Sequence, residues 1–509
     1  MRIFQYTPIL THFNYGWLDY WVAACLVPVV VWILLSGLDD LFINVVYLLT
    51  CRRRFPWPVE LELRQTPERR IAIFVPVWHE HGVIGQMLEH NLAEIGYSNY
   101  DVFVGVYPND LPTVRAVSEQ SRRHPRIHVA TCPHNGPTSK GDCMNWIYRR
   151  MQEFEALHGV RFKIVVTHDA EDLVHSDSLR LINWFSRNYE MVQIPVLPLP
   201  TGLRDFTHGL YCDEFAEYQH KDIPVRQRLG GFLPANGVGT GFDRASLDRL
   251  ASTRQGRVFD PECLTEDYET GFRLHALGCR QIFVPVHFAG NAPVATREYF
   301  PRSFRTSVRQ RTRWVTGIAL QGWQHHGWRG RQVYWFWRDR KGLVGNLLSP
   351  VANLLFLCGL ASFLESVATA RPWQLRLYVS HWMSLLCYCT LGLSWLQAGL
   401  RAHASARIYG WRFATGVPVR MFWGNLVNSA ATAAALYQFA VARIDGRTLA
   451  WRKTEHIYPM PQLCDAISEG IHFQSVVDVS STSATRESYS SYGPDATPDL
   501  VSPQPGVAA

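Results

Sequence analysis

The chain has 509 residues, which is too many for one compact core, so we expect more than one structural unit. Hydrophobic residues make up 47% of the sequence and charged residues only 18%. The charged fraction is below the ~25% typical of soluble proteins, which favours a protein that lies partly in a membrane. The net charge of +7 is compatible with nucleic acid, anionic lipid or a phosphorylated substrate. We find no RNA- or DNA-binding module, so we expect no nucleic acid partner.

The eleven cysteines are scattered, and their spacing matches neither a CxxC pair nor a Cys/His metal motif. We therefore expect reduced thiols that pack as small hydrophobic side chains. Reduced thiols fit a catalytic part that faces the cytosol.

The first apolar run, residues 20–38, is uncharged and long enough to cross a bilayer. A shorter apolar stretch, 41–50, leads to Arg52, Arg53 and Arg54. Because positive residues next to a span favour the cytoplasmic side, we expect the chain after residue 50 to be cytoplasmic. The sequence thus predicts an N-terminal membrane segment over residues 1–55.

Short β-rich runs alternate with helical segments between residue 70 and about residue 300. The runs are 71–77, 102–107, 126–131, 162–168 and 281–286, and the helices between them include 83–95 and 113–123. This order predicts an α/β fold with a mostly parallel sheet covered by helices. In such sheets ligands bind beyond the carboxyl ends of the strands, so we expect the chemistry directly after these runs.

Three polar residues follow the first runs. Glu80 comes after the first strand, where it could reach a base or ribose, and Asp110 comes after the second. Lys140 lies in a glycine-flanked loop just before a helix, which could bring its ammonium group to a phosphate. Taken singly, each also has a simpler interpretation: a solvated loop glutamate, a turn-forming Asn-Asp pair and a solvated lysine.

The fourth run ends in HDAED, residues 168–172, which places three carboxylates within four residues. Such crowding is unfavourable without a cation, and Asp169 and Glu171 would point to the same side of a continued strand. Hard oxygen ligands of this kind suit Mg²⁺ or Mn²⁺. The alternative is an acidic loop that caps the following helix.

Two later stretches also bear on a site. FLPANGVGTGFDR, 232–244, has glycines that permit a close backbone approach to a ligand or simply form a tight turn. LTEDYETGFRLHALG, 264–278, predicts a helix with Thr265 as N-cap and with Glu266 and Asp267 in the first turn. Facing a pocket, such a carboxylate could act as a general base.

QRTRW, 310–314, joins two arginines and a tryptophan to an apolar run. We interpret 301–325 as one helix opened by Pro301, on which Gln310, Arg313 and Trp314 share a face. A diphosphate leaving group would explain the arginines, and the indole would make a platform for a sugar ring. The alternative is a helix on the membrane surface that contacts lipid phosphates.

Apolar sequence returns after residue 340. The runs 343–364 and 377–400 predict membrane spans, within a membrane region 336–445. A third run, 418–442, is interrupted by polar residues, and arginines on both flanks favour the cytoplasmic side, so we expect a re-entrant or interfacial segment. The segment 446–474 would be cytoplasmic, and the Ser-, Thr-, Pro- and Gly-rich tail 475–509 disordered.

The ordered set Asp110, HDAED, TED and QRTRW, within one α/β domain before membrane helices, resembles the processive-type family 2 glycosyltransferases. A closer similarity is to the NfrB-like bacterial inner-membrane glycosyltransferases. It rests on SGLDDLF (36–42), HDAED, LTEDYETGFRLHALG and WRKTEH (451–456). The resemblance implies a GT-A domain, a Rossmann-like mixed sheet over 56–335 with an interfacial helix, inserted between N-terminal and C-terminal membrane helices.

The resemblance also implies roles for the donor-side residues. Glu80 and Asp110 would contact the uridine, and Asp169 would contact the nucleotide and metal. Glu171 stands where the family usually has Asp, so metal binding would fall to Glu171 or shift to Asp172.

The remaining roles concern the diphosphate and the acceptor. Lys140 and Arg313 would hold the diphosphate. Asp267, next to Glu266, would be the catalytic base. Gln310 and Trp314 would bind acceptor or nucleotide, and Arg311 occupies the variable position of the motif.

The activity implied is an inverting transfer of a sugar from a nucleotide-sugar, a UDP-sugar, to a polysaccharide or lipid-linked acceptor at the bacterial inner membrane. Mg²⁺ or Mn²⁺ would be the cofactor, inner-membrane lipids would surround the spans, and an outer-membrane export partner is a further expectation. The candidate spans are few for a secretion channel, which slightly favours a single-step transferase or a separate channel partner. The alternative from another class is an inactive membrane scaffold of a polysaccharide export or phage-adsorption complex.

Overall fold

The structure is a computed structural model that describes residues 15–50, 55–290, 292–328 and 330–447. Several features expected from the sequence lie outside these described residues: Arg52 to Arg54, the stretch 451–456, most of the segment 446–474 and the tail 475–509.

The strands of the described residues form three sheets. They are β1 (Ile71–Pro76), β2 (Tyr100–Val106), β3 (Ile127–Thr131), β4 (Ile164–Thr167), β5 (Leu173–Val174), β6 (Met191–Gln193), β7 (Val196–Pro198), β8 (Thr240–Asp243), β9 (Gln281–Phe283), β10 (Phe288–Ala289), β11 (Ala292–Pro293) and β12 (Thr296–Glu298).

The helices include two that continue through π-helical turns, Tyr218–Asp222 and Val315–Gln321. The α-helices are α1 (Tyr15–Thr50), α2 (Glu60–Gln65), α3 (Ile84–Glu94), α4 (Leu111–Arg123), α5 (Lys140–His158), α6 (Ser178–Phe185), α7 (Phe206–Glu217), α8 (Ile223–Arg228), α9 (Arg244–Ser252), α10 (Glu266–Ala276), α11 (Phe304–Trp314), α12 (Gly322–His326), α13 (Val333–Arg340), α14 (Gly342–Thr369), α15 (Leu375–Tyr378), α16 (His381–Tyr409), α17 (Trp411–Ala414) and α18 (Val417–Ile444).

The main sheet has seven strands in the order β3-β2-β1-β4-β8-β6-β9. All its pairs are parallel except those of β8, which runs antiparallel to β4 and β6. The expectation of a mostly parallel sheet is therefore confirmed, and each of the five predicted β-runs contains a strand. Two strands of this sheet, β6 and β8, were missed. β6 has only three residues, and β8 lies in the glycine-rich stretch 232–244, where the composition indicates a turn.

Apolar side chains cover both faces of this sheet, as the continuous hydrophobic runs require. In β1, Ile71, Ile73 and Val75 pack into one core, and Ala72 and Phe74 pack into the other. Small additional sheets, β5-β12-β7 and β10-β11, lie beyond the strand ends. Because apolar side chains cover both faces of the sheet, its carboxyl edge is where polar side chains can gather.

Three helical segments of the described residues are long and apolar enough to cross a membrane: Asp19–Thr50, Val333–Thr369 and His381–Tyr409. The runs 20–38 and 41–50 belong to one helix, α1. Helices α1 and α14 are antiparallel, because Ser362 donates to Asp19 over 3.1 Å at one end and Lys341 contacts Asp39 at the other over 2.8 Å. Both ends of this pair are thus fixed by polar contacts.

The third C-terminal run forms one uninterrupted helix, α18, so the re-entrant alternative for 418–442 is wrong. Two of its polar residues face α14: Asn346 donates to Thr432 over 2.9 Å, and Asn425 donates to Asn353 over 3.0 Å. These contacts explain why a long helix tolerates the polar interruptions seen in the sequence. The interfacial alternative stays a prediction.

A buried ion pair joins α18 to the α/β domain. The side chains of Arg420 and of Asp213 in α7 are both buried, with 1% exposure each. Arg420 contacts Asp213 through Nε at 2.6 Å and through Nη2 at 2.9 Å. A two-point contact of this kind fixes orientation as well as distance. It ties the helix after the membrane spans to the domain that carries the strand ends.

We predict that Arg420→Met destabilises the protein by about 3–5 kcal/mol, because Asp213 is left buried without its partner. Thermal unfolding in detergent measures the effect as a lower Tm. Arg412→Met, which changes an exposed arginine nearby, is the matched control and should leave Tm unchanged. Equal Tm values for the two variants would contradict the structural role of the ion pair.

Candidate active site

One cavity gathers polar side chains from segments far apart in sequence, beyond the carboxyl ends of β1 and β4. Its polar and aromatic lining includes Trp78, Glu80, Tyr107, Lys140, Asp169, Glu171, Asn236, Glu266, Asp267, Glu298, Gln310, Arg313 and Trp314. The position matches the strand edge at which the sequence analysis expected the chemistry.

The end of β4 and the start of α5 meet at a close ion pair. Lys140 is the first residue of α5, which Ser139 caps by accepting the backbone N–H of Asp142 over 3.2 Å. The Nζ of Lys140 lies 2.6 Å from Oδ1 of Asp169. Burial alone would lower the pKa of Lys140, but Asp169 and Glu266 hold it above its ordinary value. The lysine is therefore a permanent positive charge in the cavity.

The three carboxylates of HDAED separate in space. Asp169 and Glu171 line the cavity, and Asp172 does not. The Asp172 carboxylate turns back, accepting the backbone N–H of Asp169 over 3.0 Å and contacting Nδ1 of His168 at 2.8 Å. Burial raises the pKa of Asp172 well above its usual range and lowers that of His168 to about 4. Asp172 thus shapes the loop that presents Asp169.

The first turn of α10 brings two more carboxylates to the same cavity. Burial and the neighbouring Asp267 raise the pKa of Glu266 to about 7, and burial likewise raises the pKa of Asp267. Gly237, with φ at +79°, faces both Asp267 and Lys140, and a Cβ there would lie 2.8 Å from Oδ2 of Asp267. The glycine-rich stretch therefore approaches the site closely, as one of its two interpretations expected.

Thr265 precedes α10 but does not cap it, contrary to the sequence-based expectation. Its side chain packs instead against Gly317, where any Cβ would collide with it. One turn further on, Gln321 accepts the backbone N–H of Leu264 and donates to the carbonyl of Glu262, both over 2.9 Å. The segment before the two carboxylates is thus held by the helix that continues from QRTRW. Neither Gly317 nor Gln321 was predicted from the sequence, because contacts across more than fifty residues leave no local pattern.

Helix α11 begins at Phe304 with Ser303 as its N-cap, so Pro301 precedes the helix rather than opening it. After Trp314 the helix continues through the π-helical turn into α12, which ends at His326. Gln310, Arg313 and Trp314 all line the cavity, as their helical spacing predicts.

The indole of Trp314 belongs to an aromatic wall at this side of the cavity. Its ring centroid lies 6.0 Å from that of Tyr211, 6.2 Å from that of Phe215 and 6.4 Å from that of Phe300. Such a wall is rigid and offers a face for a sugar ring or another flat group.

Arg311 lies outside the cavity lining, although it is part of the same motif. Its guanidinium is buried and donates to Glu214 of α7 and to Asn428 of α18, both over 2.7 Å. The ring of Tyr211 lies beneath it at 4.3 Å. Arg311 therefore joins three helices, which is a packing contact rather than an approach to the cavity.

Asp110 is also absent from the cavity lining. Its buried carboxylate accepts the backbone N–H of His79 over 2.6 Å. Thr113, in the first turn of α4, accepts the backbone N–H of Glu80 over 3.1 Å. These contacts fix the loop after β1, and Glu80 and Trp78 on that loop line the cavity. Asp110 thus supports Glu80 from behind.

The lining is strongly acidic and suits a divalent cation. It has six carboxylates, Glu80, Asp169, Glu171, Glu266, Asp267 and Glu298, against the two cations Lys140 and Arg313 among its described residues. Asp169 and Glu171 offer hard oxygen atoms of the kind that Mg²⁺ and Mn²⁺ prefer. The donor set therefore fits such an ion, which would leave coordination positions for a phosphorylated ligand.

Comparison with known proteins places this geometry in a family. Residues 67–317 match the model of "Glycosyltransferase like family 2". Over 470 residues the chain is 37% identical to bacteriophage adsorption protein B of Escherichia coli strain K12, and equally to bacteriophage N4 adsorption protein B of Escherichia coli O157:H7. The match covers 87% of this chain and 63% of each relative, so the chain spans less than two thirds of their length.

Two solved structures are similar at low identity. A mannosyltransferase from Pyrobaculum calidifontis, solved with GDP-Man and Mn²⁺, has a TM-score of 0.44 and 16% identity, covering 80% of this chain and 99% of its own. S. aureus TarS has a TM-score of 0.30 and 13% identity, covering 49% and 40%.

The GT-A-like mixed α/β domain expected from the sequence is confirmed, with helices apolar enough to span a membrane at both ends of it. The expected similarity to NfrB-like proteins is confirmed, because bacteriophage adsorption protein B is NfrB and the identity extends over most of the chain. Residues 67–317 thus form a domain of the glycosyltransferase family 2 type.

Proposed function

We propose that this protein transfers a sugar from a nucleotide-sugar to a hydroxyl group of a glycan or lipid-linked acceptor, with inversion at the sugar C1. The observation that carries the proposal is the convergence of Lys140, Asp169, Asp267 and Arg313 on one cavity. A transferase of this kind needs an anion-binding group, a metal-binding group and a base around a single reacting centre. Glycan synthesis for the cell envelope is the process that such a reaction would serve.

The diphosphate of the donor would bind between Lys140 and Arg313. Lys140 is held at the amino end of α5, where the helix dipole and free backbone N–H groups also favour an anion. Arg313 approaches from α11 and acts on the charges of Glu266 and Asp267 as well. Both cations would stabilise the negative charge that develops on the departing nucleoside diphosphate.

Asp169 and Glu171 would hold Mg²⁺ or Mn²⁺, which supplies further charge neutralisation to the diphosphate when it is bound. Lys140 contacts Oδ1 of Asp169, and the Asp169 side chain keeps 31% exposure, so a cation can reach this carboxylate. Because the lining carries more carboxylates than cations, a diphosphate without a metal would meet net repulsion.

The nucleoside would lie against the loop after β1. Trp78 and Tyr107 form an edge-to-face pair with centroids 5.3 Å apart, and Glu80 lies beside them in the lining. A carboxylate accepts hydrogen bonds from ribose hydroxyls or from a base N–H, which suits uridine. Asp110 would act through this loop rather than by direct contact.

Asp267 would accept the proton of the acceptor hydroxyl. The acceptor oxygen attacks C1 of the sugar as the C1–O bond to the diphosphate breaks, and its electron pair leaves with the nucleoside diphosphate. The raised pKa of Asp267 makes it a better base than an exposed aspartate. The charge of Asp169 also raises this pKa, because a nearby carboxylate disfavours a second negative charge and so favours proton uptake.

The acceptor would bind at the aromatic wall, with Trp314 beneath a sugar ring and Gln310 as a hydrogen-bonding partner. The Oε1 atom of Gln310 is buried and accepts no hydrogen bond from the described residues. Helix α11 packs against α18 and leads towards the spans, so an acceptor held there would lie near the membrane surface.

We further propose an inner-membrane protein whose catalytic domain is cytoplasmic, because arginines follow α1 and flank α18. The number of candidate spans is small for a secretion channel, which favours a lipid-linked acceptor or a separate export partner. Processive synthesis and single-step transfer would differ in product length on a gel.

A second candidate function is that of an inactive membrane scaffold. It is supported by the names of the relatives, which refer to phage adsorption. The acidic crowding of the cavity argues against it, since a site without a ligand gains nothing from carboxylates that repel one another.

The proposal is tested by incubating the detergent-purified chain with a panel of UDP-sugars and scoring nucleoside diphosphate release and glycan product. We expect release with Mg²⁺ or Mn²⁺ and none with EDTA. Nucleotide binding with no release across the panel, with and without membrane lipid extract as acceptor source, would favour the scaffold.

We predict that Asp267→Asn retains donor binding and lowers transfer by about 10²–10⁴-fold, the usual contribution of a general base. Donor affinity by equilibrium binding and the single-turnover rate separate the two effects. Glu153→Gln, an exposed change on α5, is the control for charge alone. Near wild-type transfer in Asp267→Asn would remove Asp267 as the base.

Arg313→Met is expected to weaken UDP binding at least 10-fold, because one of two cations for the diphosphate is lost. Arg309 lies one helical turn earlier on α11 and is exposed, so Arg309→Met is a matched control. Titration of UDP into each purified variant gives the comparison. Identical affinities would show that Arg313 does not contact the diphosphate.

The transfer rate should fall on acidification at a pH above the ordinary pKa of an aspartate, since burial raises the pKa of Asp267, and burial with the charge of Asp267 raises that of the adjacent Glu266 to about 7. Protonation removes the base, so activity is lost as pH falls through these raised values. A wild-type limb centred near pH 4 would contradict the assignment.

A further inference from the structure

A second cluster of ligand-type side chains joins α10 to α12, outside the cavity lining. Oε2 of Glu269 lies 2.6 Å from Nε2 of His326 and 3.7 Å from Nδ1 of His325. The ligand atoms of the three residues all lie within 4.8 Å of one another. Two imidazoles and a carboxylate thus converge from helices that are far apart in sequence.

The carboxylate of this cluster is oriented by contacts to both of its oxygens. Nε2 of His326 lies within hydrogen-bond distance of Oε2, at 2.6 Å. Arg273 donates to the other oxygen, Oε1, over 2.6 Å, which leaves Oε2 directed at the histidines. A hydrogen bond to the second oxygen is the usual support of a metal-ligating carboxylate.

The imidazoles are also held in place. The ring of His326 lies with its centroid 4.1 Å from that of Phe272, and it is parallel to Phe336 within 5°. The histidine side chains keep 27% and 14% exposure for His325 and His326, so an ion and a water molecule can reach them from solvent.

We propose that Glu269, His325 and His326 bind one late first-row transition-metal ion, of which zinc is the type, with water as the fourth ligand. For Nε2 of His326 to bind the ion, the proton on that nitrogen moves to Nδ1 or to solvent, which frees the nitrogen lone pair. The ligand atoms of His326 and Glu269 then separate from 2.6 Å to roughly 3.3 Å, the spacing set by tetrahedral bonds of about 2.0–2.1 Å. This is a rotamer-scale adjustment.

This site differs from the cavity in the ligand atoms that it offers. Asp169 and Glu171 offer only oxygen and suit Mg²⁺ or Mn²⁺, whereas two imidazole nitrogens favour zinc, cobalt or nickel. The charge of Arg273 opposes a cation here. Asp260 offsets part of that charge, since its Oδ2 lies 3.4 Å from the guanidinium.

A metal at this position would fasten the helix of the proposed base to the continuation of the QRTRW helix. Gly317 and Gln321 already hold the amino end of α10, and the metal would add a third attachment one turn later on each helix. The ion would be structural, and its binding does not depend on the proposed transferase activity.

The test uses the full chain, purified in detergent and stripped with EDTA. Co²⁺ is titrated and the visible absorption of tetrahedral cobalt is followed, with Zn²⁺ and then Mn²⁺ as competitors. We expect one equivalent of Co²⁺, displaced by Zn²⁺ and not by Mn²⁺. We also expect Zn²⁺ to raise Tm.

His326→Gln and His325→Ala should each weaken Co²⁺ binding by about 100-fold or more, because a ligand atom is lost. His275→Ala, which changes another histidine of α10, and Glu171→Gln, in the cavity, should bind as wild type does. Circular dichroism confirms that each variant is folded. Absence of a tetrahedral spectrum, or one unaffected by both histidine variants, would overturn the proposal and leave an ion-pair network only.

Discussion

The cavity concentrates more negative charge than its own cations balance. Six carboxylates face Lys140 and Arg313 among the described lining residues, and the pKa of Glu266 rises to about 7 through burial and the charge of Asp267. Such electrostatic repulsion is expected at a site where a cation, or a ligand that binds together with a cation, neutralises the carboxylates. A divalent ion with a nucleoside diphosphate meets this requirement, because the metal relieves the carboxylates and the two basic side chains receive the phosphates. The proposed chemistry depends on this balance.

The arrangement is maintained by contacts between helices rather than by the sheet alone. Helix α10 carries the proposed base, and the helix that begins at Phe304 holds it through Gly317 and Gln321. The same long helix contacts α7 and α18 through Arg311, and α18 packs against the membrane-type helix α14. A shift of the membrane helices would therefore reach the acceptor side of the cavity through packed side chains.

The sequence predicted the sheet well where hydrophobic runs are continuous, and poorly where they are not. β8 was missed, because a glycine-rich segment between two buried strands has the composition of a turn. Within the motifs, the sequence does not show which side chain faces the cavity. Asp169 and Asp172 are chemically alike, and only the fold determines which one does. Arg311 and Arg313 differ in the same way, since helical spacing gives the relative direction but not the neighbours. The order of the motifs along the chain was nevertheless enough to indicate the family.

The most direct measurement is equilibrium binding of UDP and of uridine to the purified protein, with Mn²⁺ and with EDTA. If the cavity balances its carboxylates with a metal and a diphosphate, UDP with Mn²⁺ binds at least about 100-fold more tightly than uridine, a difference of roughly 2.7 kcal/mol. EDTA then removes most of that advantage. Equal affinities for UDP and uridine, unchanged by EDTA, would contradict the account.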